Sequence, residues 1–125
     1  MTLLLDTHTF LWWLSDPGHL SPAATAAISD PQNRVLVSVA VLWEIAIKRA
    51  IGKLTAPIDL ESDVARAGFE LLPLEVRHIV ATEQLPLHHR DPFDRMLIAQ
   101  ELVESATLVT RDPNMSRYQA SLMTA

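Results

Sequence analysis

Apolar residues fall in short bursts whose spacing changes along the chain. The first burst, residues 2–5, stops at Asp6 and Thr7 and gives way to helical spacing through Phe10, Leu11, Trp12 and Leu14, which predicts a strand followed by a helix. Asp16, Pro17 and Gly18 break that helix, and Ser21 before Pro22 is an N-cap and first-turn pair for an alanine-rich helix ending near Ser29. After a turn at 30–33, Val35, Leu36 and Val37 predict a second buried strand. Ser38 then caps a long helix to about Ile51, with Gly52 as its stop. Asp59 is placed to cap a helix through Phe69, a short apolar stretch covers 70–74, and residues 76–84 read as another helix closed by Pro86. A polar loop, 87–90, leads to Asp91 and Pro92, which open an amphipathic helix through Glu104. Thr107 to Thr110 is a β-branched strand ending at Arg111, Asp112 and Pro113, and nothing beyond Ser116 carries an assignable pattern.

Strand and helix alternate, with connections too long for hairpins. That predicts right-handed crossovers and an α/β fold over residues 1–125, a small, mostly parallel sheet sandwiched by helices. In such a sheet the functional crevice lies beyond the carboxyl ends of the strands, where Asp6 and Asp112 fall.

Composition narrows the chemistry. A length of 125 residues suits one domain, and 49% hydrophobic with 20% charged residues is ordinary for a globular chain. No apolar run approaches the roughly 20 residues of a membrane span, and no signal-peptide pattern is present, so a soluble, cytoplasmic protein is expected. With no cysteine, disulfide scaffolds, zinc ribbons and thiol catalysis are excluded. A net charge of −5 argues against a broad basic nucleic-acid surface, although eight of the ten bases are arginine, the type suited to bidentate phosphate contacts.

Four acids stand out by position: Asp6, Glu44, Asp94 and Asp112. Each also has a plain structural reading. Asp6 can cap the first helix through an amide near Thr9, Asp94 can pair with Asp91 in a cap and first-turn arrangement, and Asp112 before Pro113 is an ordinary turn acid. Glu44 lies on a helix that is apolar nearly all round and is expected to be buried; its alternative is an i, i+4 ion pair with Lys48. Convergent carboxylates about 4 Å apart repel by roughly 4 kcal/mol at an effective dielectric near 20, so they need a cation between them. Oxygen-only donors select a hard ion, Mg²⁺ or Mn²⁺, which suits phosphodiester hydrolysis. His88 and His89 lack the i, i+4 spacing of helix ligands, and His8 and His19 read as packing or surface residues. Trp12, Trp13 and Trp43 can stack bases, but apolar-helix aromatics belong more often to cores and interfaces.

The segments LLLDTHTFLWWL, SVAVLWEIAIK followed by GKL, HHRDPFDRMLIAQ and TLVTRDP resemble, in order and spacing, the blocks of the PIN-domain ribonucleases, specifically the VapC-like toxins of bacterial toxin–antitoxin pairs. The resemblance covers essentially the whole chain. It implies metal-binding acids at Asp6, Glu44, Asp94 and Asp112, support from Thr110, and Asp91 either as an extra acid behind the ligands or as the helix cap. It makes Arg95 and Arg111 candidates for contacting RNA. It also implies Mg²⁺- or Mn²⁺-dependent cleavage of RNA, restraint by a cognate antitoxin, and a homodimer. Two other classes are weighed against it. A catalytically inactive PIN-like interaction module would keep the fold without the metal. A phospho-receiver needs an acceptor Asp after the middle strand and a Lys after the last, where Ser38 and Arg111 stand instead; a haloacid-dehalogenase phosphatase needs a second Asp where His8 stands.

Overall fold

The computed structural model describes residues 1–55, 59–87, 91–118 and 120–125. Five strands, β1 (Thr2–Leu5), β2 (Arg34–Ser38), β3 (Glu70–Leu72), β4 (Thr107–Thr110) and β5 (Leu122–Thr124), form one parallel sheet in the order β3-β2-β1-β4-β5. Six α-helices are found among the described residues: α1 (Thr7–Ser15), α2 (Pro22–Ser29), α3 (Val39–Ala50), α4 (Leu60–Arg66), α5 (Val76–Glu83) and α6 (Pro92–Glu104). Leu3, Leu4 and Leu5 are all fully buried. Successive strand residues point to opposite faces, so a run with no exposed position requires helices on both sides. Leu36 with Val37 and Leu108 with Val109 repeat the pattern in β2 and β4.

From β1 the chain winds outward through β2 to β3, then crosses back to β4 on the other side of β1. The order reverses between β1 and β4, and the crevice above that switch point is where open sheets of this kind bind ligands.

Four of the predicted caps form, while Asp59 precedes α4 without a side-chain cap bond and accepts from the Ser62 hydroxyl at 3.1 Å instead. Asp6 accepts from the Thr9 amide at 2.9 Å, Ser21 from Ala24, Ser38 from Ala40, and Asp91 from Phe93 and Asp94. Gly52 adopts φ +73°, as a helix stop in the left-handed region requires.

Three expectations change. β5 has no counterpart in the sequence reading. α4 ends at Arg66 rather than continuing to Phe69, because Gly68 turns the chain at φ +79°. α3 is not buried all round: Ala40, Val41, Glu44 and Ile45 face inward, while Val39, Trp43, Ile47 and Ile51 form an exposed stripe at i, i+4 spacing. Among the described residues, α3 packs mainly on α1, α6 and β2. His88 and His89 lie outside the described residues.

Candidate active site

Asp6 ends β1 and is almost wholly buried, 6% exposed. Its two oxygens have different partners. Oδ1 caps α1, and Oδ2 accepts from the Thr110 hydroxyl at 2.5 Å. The cap therefore does not compete with a functional role: it fixes the carboxylate against the helix start and leaves each oxygen with a further lone pair. Thr110 ends β4, and its Oγ1 also accepts from the Asp112 amide at 3.1 Å. One hydroxyl thus links the two acids that flank the switch point. Asp112 caps the 3₁₀ turn Pro113–Arg117 through Asn114 at 2.9 Å.

Glu44 joins from the other side. Its Oε1 accepts from the Thr7 hydroxyl at 2.6 Å, and Thr7 follows Asp6 directly. Its Oε2 pairs with Lys48 Nζ at 2.6 Å, so the i, i+4 ion pair is real although Glu44 itself is buried. Asp94 lies in the first turn of α6, next to Phe93, whose ring meets Trp43 edge-on with centroids 5.3 Å apart. The neighbours of Glu44 and Asp94 therefore pack together where α3 meets α6.

Asp6, Asp112 and Glu44 are linked through Thr110 and Thr7, and Asp94 lies beside the α3–α6 contact. Among the described residues, the only three or more ligating side chains whose donor atoms all lie within 4.8 Å of one another are Glu75, His78 and Glu104, so no three of the strand-end acids are drawn that close. Asp6 and Glu44 each accept from a threonine hydroxyl, Thr110 and Thr7 respectively.

The two candidate arginines are engaged differently. Arg95 Nη1 donates to the Pro86 carbonyl (2.8 Å) and the Tyr118 hydroxyl (3.4 Å), and Nη2 to the carbonyls of Thr82 (2.7 Å) and Leu85 (3.4 Å). It closes the carbonyl end of α5, where cations are favoured. Arg111 is exposed and sits over the Trp12 ring, its Cζ 4.6 Å from the centroid.

The Glu75–His78–Glu104 group carries no signal in the sequence, because packing of α5 on α6 assembles it from residues up to 29 positions apart. His78 is fully buried; Nδ1 accepts from the Glu75 amide at 3.1 Å, so Nε2 holds the proton and donates it to Glu104 at 3.0 Å. Arg77 reaches both Glu75 and Glu104, at 3.0 and 2.6 Å. The hydrogen bond to Glu75, opposed by burial and aided by the charges of Glu104 and Glu75, holds the Arg77 guanidinium above its ordinary value.

The model of the PIN domain matches residues 3–120. The chain belongs to the PIN domain family. This PIN domain is 27% identical over 122 residues to ribonuclease VapC22 of Mycobacterium tuberculosis, covering 94% of this chain and 92% of that one. Its fold is similar to VapBC2 from Rickettsia felis, solved bound to a DNA fragment from its promoter, with a TM-score of 0.73, 16% identity and 98% of each chain covered. DNA-bound VapBC from Salmonella typhimurium gives a TM-score of 0.65 at 18% identity, covering 98% of this chain and 97% of that one. No described helix of this PIN domain is long and apolar enough to cross a membrane.

Proposed function

We propose that this PIN domain is a VapC-like toxin, an endoribonuclease that hydrolyses RNA phosphodiester bonds with Mg²⁺ or Mn²⁺. The observation that carries this reading is the buried Asp6 at the end of β1, its oxygens held by the Thr9 amide and the Thr110 hydroxyl, with Thr110 tied in turn to the backbone of Asp112 at the neighbouring strand end. Neutral donors orient the Asp6 carboxylate without cancelling its charge, so that charge remains for a cation. The donor set fits a hard ion: the four acids offer carboxylate oxygens, and the partners of Asp6 and Glu44 add threonine hydroxyls.

In this reading Asp6, Glu44, Asp94 and Asp112 hold the ion. When bound, it polarises the phosphate and acidifies a water for attack. The protein's own residues do the positioning. Thr110 fixes Asp6 and the Asp112 backbone, Thr7 fixes Glu44, and the Asp91 cap sets the first turn of α6 that carries Asp94. Arg111, rather than the internally engaged Arg95, is the better placed to meet the RNA backbone. The VapBC structures support a cognate antitoxin as partner; cytoplasmic location and a homodimer complete the proposal.

One observation favours a second reading, an inactive PIN-like interaction module: Lys48 already neutralises Glu44. Cleavage of single-stranded RNA by the purified protein separates the two. Mg²⁺ or Mn²⁺ should support it, EDTA should abolish it, and Asp94→Asn should lower the rate by roughly 10²- to 10³-fold. Cleavage that survives both controls rejects the mechanism.

A further inference from the structure

The strand-end region opens into a cavity of about 350 Å³ lined by Asp6, His8, Trp12, Arg111 and Asp112. That is at the lower end of the roughly 300–1,000 Å³ typical of small-ligand sites. Two of the five are candidate metal ligands; the other three form a wall with no part in holding an ion. His8 and Trp12 are one turn apart on α1 and share a face, their ring centroids 5.8 Å apart and their planes inclined by 36°. Arg111 is clamped onto the indole from outside: Nε and Nη2 donate to the Ala125 main-chain oxygen at 3.2 and 2.7 Å, and Nη2 also to the His19 carbonyl at 2.6 Å. Nη1 meets no acceptor among the described residues.

The guanidinium over the indole, with the His19 ring 4.5 Å from the same indole and inclined by 37°, makes an aromatic and cationic platform with an outward N–H. Proteins that bind single-stranded nucleic acid use both features, stacking bases on aromatic rings or arginine planes and meeting phosphates with arginine. With a net charge of −5, long-range attraction of a polyanion is weak here, so short-range stacking must carry more of the affinity.

We propose that this wall is a subsite for one unpaired nucleotide next to the cleaved phosphodiester. Its base stacks on the surface made by His8, Trp12 and Arg111, and its phosphate meets Arg111 Nη1. The inference rests on the ribonuclease reading above and deepens it by assigning the contacts to one base to His8, Trp12 and Arg111. A base inside a duplex has both faces covered by its neighbours and must leave the stack before it can enter.

The test uses short single-stranded RNA, intact or with a single abasic site walked along it. Wild type, Trp12→Leu, Trp12→Phe and His8→Ala are compared by fluorescence anisotropy and by steady-state cleavage. Trp12→Leu should raise Kd and KM about tenfold while kcat stays within about threefold, and Trp12→Phe should stay within about threefold throughout. The abasic substitution, at one position, should weaken wild type about tenfold and leave Trp12→Leu nearly unaffected. Trp12 also packs against the core, so its variants are checked by melting; exposed His8→Ala, expected to weaken binding about threefold, keeps the test valid if Trp12→Leu does not fold. Folded variants that distinguish intact from abasic RNA as wild type does, or wild type that binds neither, would overturn the subsite. Wild type that binds RNA but shows no metal-dependent cleavage would overturn the nuclease reading instead, and the Kd comparison would still decide the stacking.

Discussion

At the strand ends, Asp6 and Asp112 are oriented by backbone amides and the Thr110 hydroxyl, and Glu44 by Thr7 with Lys48 at its rim. Between α5 and α6, Glu75 and Glu104 are closer to a third ligating group, yet Arg77 and the His78 N–H already occupy them. The tighter cluster carries Arg77 on both of its acids, whereas in the looser one Asp6 is held by neutral donors and Glu44 by Thr7 and Lys48. Proximity of donor atoms is therefore a poor guide to metal binding when a protein cation lies within the same set; what matters is how the carboxylate charge is balanced. Another acid marks the opposite extreme. Glu101 is buried with no cation: Oε1 accepts from the Ser121 amide at 2.9 Å, and Oε2 has no hydrogen-bond partner.

Removing the internal partner should break the α5–α6 cluster most severely. His78→Ala leaves Glu104 short of a buried donor and opens a cavity, and should lower unfolding free energy by about 3 kcal/mol in urea titrations without changing affinity for Mn²⁺. A smaller effect, confined to the strand ends, is expected from Thr110→Val, which keeps the shape and removes the hydroxyl. It should weaken Mn²⁺ binding about 10- to 100-fold at nearly unchanged stability. If stability falls and metal affinity does not, Thr110 is a structural tie only.

The smallest effect concerns Glu101. Burial pushes its carboxyl above the ordinary range, with the Ser121 hydrogen bond opposing the shift. The folded state thus favours the protonated form. Its stabilising contribution is fully present below the ordinary glutamate pKa, about 4.3, and is lost as pH rises through the raised value. Glu101→Gln should remove that slope and add on the order of 1 kcal/mol at neutral pH. Equal pH dependence of unfolding in the two proteins would contradict this.

Much of the frame was legible because local chemistry and tertiary structure agree. The apolar runs at residues 3–5 and 35–37 are buried strands, and Asp6, Ser21, Ser38 and Asp91 cap the helices they precede. The placement of Asp6 and Asp112 at strand ends followed from that alternation. β5 was not legible, since its three residues have no periodicity and are held by pairing with β4. The exposed stripe of α3 was missed because an apolar helix surface does not reveal whether a neighbour covers it. The Glu75–His78–Glu104 network depends on how two helices cross, and Thr7 escaped notice because a hydroxyl after an acid is unremarkable until Glu44 arrives from 37 residues away.

Titration of the purified protein with Mn²⁺, followed by calorimetry, tests the central distinction most directly when wild type, Asp6→Asn and Glu104→Gln are compared. Saturable binding that is lost in Asp6→Asn and kept in Glu104→Gln is the predicted result. Binding kept in Asp6→Asn and lost in Glu104→Gln, or none in wild type, would contradict it.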